Sequence, residues 1–251
     1  MMTTLALDLG NTALKYGVFT EAGLQESGVL ATPTQLGELW QRCQPAHAIL
    51  ASVATEAEAQ PWLGELAAVL TRILPLRPGF TPVPVRNAYA TPHTLGADRL
   101  AGGVGAAHLR PGQPTLIVDA GTALKLDFVS ADGTYHGGSI APGLRMRLRA
   151  LHTFTGRLPL VELPAAAASV QLIGDSTASS LLSGVLNGVG AEVSGLVADY
   201  RQRYPGLGVV LTGGDAAYVH PRLAPALGLI FVVPELVLVG LDRILRYNVD
   251  R

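Results

Sequence analysis

The sequence predicts a duplicated α/β fold, and three observations carry that expectation. The chain has 251 residues, enough to bury a substantial core in one large domain or two smaller ones. Strand-like and helix-like stretches alternate along it. Most informative, "DLGNTALK" at 8–15 returns as "DAGTALK" at 119–125, with Asp, Gly and the run Thr-Ala-Leu-Lys in the same order. Each copy follows an apolar strand ("LAL", "LIV") and leads into another, so one strand–turn–strand unit heads each half. The halves are expected to meet near "GQPT" (112–115), dividing the chain into residues 1–114 and 115–251.

Taken in order, residues 3–9 and 13–19 read as a hairpin, because apolar and β-branched runs flank a Gly-Asn pair that tolerates positive φ. "TPTQLGELWQRC" offers Thr32 as N-cap, Pro33 at the first helical position and Gln35 as capping-box partner. Leu36, Leu39, Trp40 and Cys43 then recur at helical spacing. "AILASVA" (48–54) reads as a buried strand, and "QPWLGELAAVLTRIL" (60–74) as a helix with Leu63, Leu66, Leu70 and Ile73 on one face. Ala97 to about His108 reads as a helix whose glycines need close packing to excuse them, since each costs up to about 1 kcal/mol against alanine.

In the second half, "GGSIAPGL" (137–144) reads as a Gly/Pro loop, and 174–204 as one long helix capped by Asp175 or Ser176. "GVVLTGGDAAYV" (208–219) is a strand ending in Gly213-Gly214-Asp215 with a helix just after. The apolar "PELVLVGLDRILRY" (234–247) closes the chain.

Composition narrows the function. A formal net charge of −1 with 15% charged residues provides no broad field for nucleic acid or an acidic membrane, which favours a small-molecule partner. Cys43 is the single cysteine, so neither a disulfide framework nor a cysteine-based zinc cluster is available, and a cytoplasmic location is expected. The N-terminus lacks the pattern of a signal peptide, and the apolar stretch 227–241 is broken by Pro234 and Glu235. The six histidines show no ligand spacing, and no P-loop, G-x-G-x-x-G or G-x-S-x-G pattern occurs.

The repeated turn has its own chemistry. A bend of small residues exposes backbone N–H groups, and a hydroxyl beside them adds a donor, so the turn can hold phosphate oxygens without a basic side chain. Gly10 and Gly121 allow close approach, and Asp8 at a strand end can anchor a hydrated Mg²⁺ bridging phosphate oxygens. Ordinary turn chemistry explains either copy alone, and an old duplication kept for folding explains both.

With these pieces in view, the sequence resembles the phosphotransferase superfamily of actin, heat-shock chaperones and sugar kinases, and within it the type III pantothenate kinases. The resemblance covers nearly the whole chain through "DLGNT" (8–12), "NAYATPHTLGADR" (87–99), "DAGTA" (119–123), "GGSIAPGL", "GDST" (174–177), "LTGGDA" (211–216) and "LVLVGL" (236–241). The segment 87–99 is the specific one, since the wider superfamily shares the phosphate turns but not this stretch. The resemblance implies a duplicated ribonuclease-H-like (actin-like ATPase) fold, two similar halves around a nucleotide cleft. It also implies ATP-dependent phosphorylation of pantothenate, the first step of coenzyme A synthesis, by a homodimer.

By that resemblance Asp98 is the general base, and Tyr89, Gly96, Ala97 and Arg99 bind pantothenate with Thr177 from the second half. Asp8, Gly10, Asn11, Thr12, Lys15, Gly121 and Thr122 hold the ATP phosphates, and Gly213 and Gly214 lie against adenosine. Asp8 and Asp119 are the metal positions, Mg²⁺ at the first and a monovalent cation (K⁺ or NH₄⁺) at the second. One departure stands out. Where much of the family has a threonine two residues after the alanine of "GTA", this chain has Lys125, an ammonium able to substitute for that ion. Two other readings remain at this point: a non-catalytic regulatory relative, and a sugar or acid kinase of the superfamily.

Overall fold

The computed structural model describes residues 2–10, 13–66, 73–166, 168–223 and 227–249. They form two compact units: residues 1–112 with 133–136 and 235–251, and residues 113–132 with 137–234.

The first unit is built on a five-stranded sheet. Strands β1 (Thr4–Leu9), β2 (Leu14–Thr20) and β3 (Gly23–Leu30) form an antiparallel meander, and β4 (His47–Ser52) and β5 (Ile73–Pro75) extend it in parallel, in the order β3-β2-β1-β4-β5. Alternation along β1 sends Leu5, Leu7 and Leu9 to one face, where they cluster with Leu36, Leu39 and Trp40 of α1 (Pro33–Cys43) and Ala59 of α2 (Glu56–Glu65). Ala6 points the other way, into a cluster with Ala97, Ala101 and Val104 of α3 (Ala97–Leu109) and Leu238, Leu241 and Ile244 of α8 (Leu236–Val249). Each fully buried leucine contributes about 1.5–3 kcal/mol, so β1 is fastened from both faces.

The expected cap of α1 is present, with Gln35 Oε1 accepting from the Thr32 N–H at 3.2 Å. Helix α2 differs from expectation. It starts at Glu56 because Thr55 and Glu58 form a capping box, and Ile73 lies in β5 rather than on a helical face. Leu70, also placed on that face, lies outside the described residues.

Of the three glycines of α3, Gly103 and Gly105 face close neighbours, as expected, while Gly102 has open space beside it. A Cβ on Gly105 would lie 2.5 Å from Leu236 O, and one on Gly240 of α8 1.8 Å from Ala101 O. These two helices therefore meet backbone to backbone. Helix α8 is further tied to β1 by Thr4 Oγ1 donating to Asp242 Oδ1 at 2.6 Å. The linear division at 114/115 assigns α8 to the second half, whereas it belongs to the first unit.

The second unit repeats the topology. Its strands β7 (Thr115–Ala120), β8 (Ala123–Val129), β9 (Thr134–Pro142), β10 (Gly208–Thr212) and β11 (Ile230–Val232) run in the order β11-β10-β7-β8-β9. β7 and β8 are antiparallel, and β10 and β11 are added in parallel to β7, as β4 and β5 are to β1. The start of β9, within the first unit, pairs with the two-residue β6 (Arg86–Asn87). Residues 137–142, expected as loop, are thus strand. Gly138 serves close approach there, since a Cβ on it would lie 1.8 Å from Leu126 O.

One apolar cluster holds this sheet to α4 (Leu144–Thr153), α5 (Thr177–Leu182), α6 (Gly188–Arg203) and α7 (Ala216–Val219). The helix expected over 174–204 starts at its Ser176 cap and passes through a π turn at Ser183–Asn187. Its span 177–203 is long and apolar enough by length and composition to cross a bilayer. Leu181, Val185, Leu186, Val189, Val193 and Val197 are instead buried in the second core.

Candidate active site

In the first unit the hairpin β1–β2 sets Asp8 directly opposite Lys15, and Gly10 N–H donates to Ala13 O at 3.1 Å to close the turn. Asn11 and Thr12 lie outside the described residues. Asp8 shares a sheet face with Thr4 and Ala6 by alternation, the face covered by α3 and α8. Lys15 is exposed on β2.

The segment 87–99 delivers its side chains to the first turn of α3. Gly96 is the N-cap, Ala97 is buried, and Asp98 is half-buried in the first turn, where the positive end of the helix dipole favours a carboxylate. Gly96 makes room for that carboxylate, since a Cβ there would lie 2.6 Å from Asp98 Oδ1. Arg99 is only 7% exposed, and its guanidinium carbon lies 5.5 Å from the centre of the Tyr89 ring, a cation–π contact. Tyr89 is itself positioned by its N–H donating to Asn87 Oδ1 at 3.0 Å and by Tyr135, 6.4 Å away between ring centres. Four of the expected substrate residues and the expected base thus converge within one short stretch.

In the second unit the hairpin β7–β8 sets Asp119 opposite Lys125, and Gly121 N–H donates to Ala123 O at 3.1 Å. This turn is one residue shorter than the first, and its lysine behaves differently. Lys125 Nζ lies 2.8 Å from Asp119 Oδ2. Thr122 is exposed at the tip. Gly213 adopts φ +93°, and a Cβ there would lie 2.3 Å from Ala120 O and 2.5 Å from Asp119 Oδ1, so only glycine fits against the hairpin. Gly214 is exposed with open space beside it. Asp119, Gly121, Thr122 and Gly213 are therefore one cluster, while Thr177 is exposed at the start of α5.

Two participants were not singled out from sequence. Asp215, buried behind Gly213 and Gly214, donates its backbone N–H to Ala120 O at 2.8 Å and holds Arg145 at 2.6 Å. Gly143 lies so close to the hairpin that a Cβ would sit 2.2 Å from Gly121 O. Asp215 stands in the quoted "LTGGDA", so its signal was visible. Its partner Arg145, 70 residues away in sequence, carried none. Among the described residues no group of three or more His, Cys, Asp or Glu side chains gathers as a metal site.

A model of the type III pantothenate kinase family matches residues 4–199. The chain is 38% identical over 245 residues to a type III pantothenate kinase of Cytophaga hutchinsonii, covering 98% of this chain and 99% of that protein. Two solved structures share the fold over nearly their full lengths. A Campylobacter jejuni protein described as a Baf family transcriptional activator matches with TM-score 0.62 and 20% identity, covering 98% of this chain and 100% of that one. Component A of (R)-2-hydroxyglutaryl-CoA dehydratase from Acidaminococcus fermentans matches with TM-score 0.58 and 14% identity, covering 100% of both. The repeated strand order is that of a duplicated ribonuclease-H-like fold, and with it the chain belongs to the type III pantothenate kinase family.

Proposed function

We propose that this chain transfers the terminal phosphoryl group of ATP to the primary hydroxyl of pantothenate, giving 4′-phosphopantothenate and ADP, the first step of coenzyme A biosynthesis. The observation that carries this reading is the first turn of α3, where Asp98 lies against Gly96 while the adjacent buried Arg99 stacks on Tyr89. A primary alcohol must lose its proton as its oxygen bonds to phosphorus, and Asp98 is the carboxylate assigned to accept it. The bond between the β,γ-bridging oxygen and phosphorus breaks as the new one forms, and ADP leaves. Arg99, with its fork of donors, and Tyr89 orient the anionic substrate with Gly96 and Ala97, and Thr177 completes its binding.

On the nucleotide side, Gly10, Asn11, Thr12 and Lys15 of the first turn and Gly121 and Thr122 of the second hold phosphate oxygens, while Gly213 and Gly214 receive the adenosine. A single carboxylate suits Mg²⁺, which keeps most of its waters and takes its other ligands from phosphates, and Asp8 at the end of β1 fits that requirement. With Asp8 holding it beside ATP, Mg²⁺ would neutralise phosphate charge. The working protein is a cytoplasmic homodimer without nucleic-acid or membrane partners.

The test is a coupled assay with ATP, Mg²⁺ and a panel of pantothenate, sugars and carboxylic acids. Pantothenate alone should turn over, and Asp98→Asn should lower kcat by about 10²–10⁴-fold while retaining nucleotide affinity. ATP binding without turnover in the unaltered protein would instead support the regulatory reading.

A further inference from the structure

The second hairpin carries a cation of its own. The Lys125 ammonium lies 2.8 Å from Asp119 Oδ2, and the two side chains are only 17% and 20% exposed. Their positions are imposed by the β7–β8 register, which sets the two residues directly across from each other. The other carboxylate oxygen faces a different element, the Gly213 turn, whose lack of a side chain leaves room for it: a Cβ on Gly213 would lie 2.5 Å from Asp119 Oδ1. One oxygen of Asp119 is therefore taken by a positive charge and the other is lined by the Gly213 turn. A bare monovalent ion approaching this carboxylate would meet like charge within a few ångströms in a half-buried setting, where screening by solvent is weak. The potassium or ammonium ion that the family resemblance assigns to Asp119 does not fit these residues.

We propose that Lys125 is the permanent cation of the second phosphate turn, so that this chain binds nucleotide and turns over without added monovalent cations. The inference rests on reading that turn as phosphate-binding. A lysine ammonium is a compact point charge on a flexible stem, chemically the closest side-chain substitute for such an ion. The setting of the lysine is not forced by the shared Thr-Ala-Leu-Lys run, because Lys15, equally opposite Asp8, is exposed while the Lys125 side chain is only 17% exposed.

The experiment measures kcat/KM with pantothenate, and separately the Kd of a non-hydrolysable ATP analogue by calorimetry, in tetramethylammonium chloride and in potassium chloride at equal ionic strength. For the unaltered protein both quantities should differ by less than about twofold between the two salts, a difference below 0.5 kcal/mol. Lys125→Met should weaken analogue binding roughly tenfold in the potassium-free buffer. Lys125→Thr, returning the residue type common in the family, should regain part of that affinity only when potassium is added. A tenfold stimulation of the unaltered protein by potassium overturns the proposal, as does a Lys125→Met protein that binds the analogue normally without it. The unaltered-protein arm decides the question even if the variants do not fold. The analogue arm still reads the cation if pantothenate proves not to be the substrate.

Discussion

The two hairpins are copies with different fates. In both, an aspartate is the second-last residue of the first strand, a glycine N–H closes the turn onto an alanine carbonyl at 3.1 Å, and a lysine faces the aspartate across the ladder. The backbone carbonyl after that aspartate also repeats its partner, Leu9 O accepting from Val53 N–H at 3.1 Å and Ala120 O from Asp215 N–H at 2.8 Å. Yet the first lysine is exposed, whereas the second is held by its carboxylate, and among the described residues it is the second hairpin that is overlaid by a left-handed glycine, Gly213. A shared backbone frame thus leaves the side-chain chemistry to be decided by what packs on it.

The largest expected effect separates the two overlays. Gly213→Ala combines a positive φ with a Cβ 2.3 Å from a carbonyl oxygen, and should cost about 3 kcal/mol in urea unfolding. Ser52→Ala, the exposed position of the first unit in the same register (Ser52 pairs with Leu9, the residue after Asp8, as Gly213 follows Thr212, which pairs with Asp119), should shift stability by less than about 0.5 kcal/mol. Equal effects at the two positions would show that the overlays are equivalent after all.

Next come the aspartates. Asp119→Asn strips the Lys125 ammonium of its countercharge and should cost about 1–3 kcal/mol of stability, discounted from a buried pair because both side chains keep some solvent. Asp8→Asn should act mainly on the reaction, lowering kcat by about 100-fold with a raised Mg²⁺ requirement, read by metal titration of the steady-state rate. Asp8→Asn activity equal to the parent's would remove Asp8 from the metal role.

A smaller effect is expected at Lys15. As an exposed charge proposed to meet the phosphates, Lys15 replaced by alanine should weaken ATP binding less than tenfold, below about 1.4 kcal/mol.

The smallest lies on the third strand of the first unit, where Arg42 and Tyr16 hydrogen-bond to Glu26 and hold its carboxyl down to about 2. Because the folded value is depressed, the stabilisation is complete above about pH 4.5 and is lost as pH falls from there through about 2. Glu26→Gln should flatten acid unfolding in that window slightly, since the Glu26 and Arg42 side chains are both solvent-exposed.

Much of this architecture was legible locally. The hairpins, the Thr32–Gln35 cap and α3 follow from residues within a turn or two of one another, where periodicity and capping act directly. Strand β3 escaped because "GLQESGVL" is half exposed and its centre, Gln25-Glu26-Ser27, is polar, without the apolar run of a buried strand. β9 was hidden by Gly137, Gly138 and Pro142, which resemble loop punctuation until the close approach of Leu126 explains Gly138. At the site, the motif residues were visible individually, but nothing local announced that Arg145 would pair with Asp215.

The amino-acid sequence by itself determined the duplicated strand–turn–strand units, the capped helices and the acidic, glycine and hydroxyl residues of the turns, because those depend on φ/ψ preference and spacing over a few residues. Only the tertiary structure decided that α8 joins the first unit, that Gly213 lies on Asp119, and that Lys125 is held by Asp119 while Lys15 is exposed. Those outcomes depend on steric exclusion and partial burial by segments tens to hundreds of residues away, which no local pattern encodes.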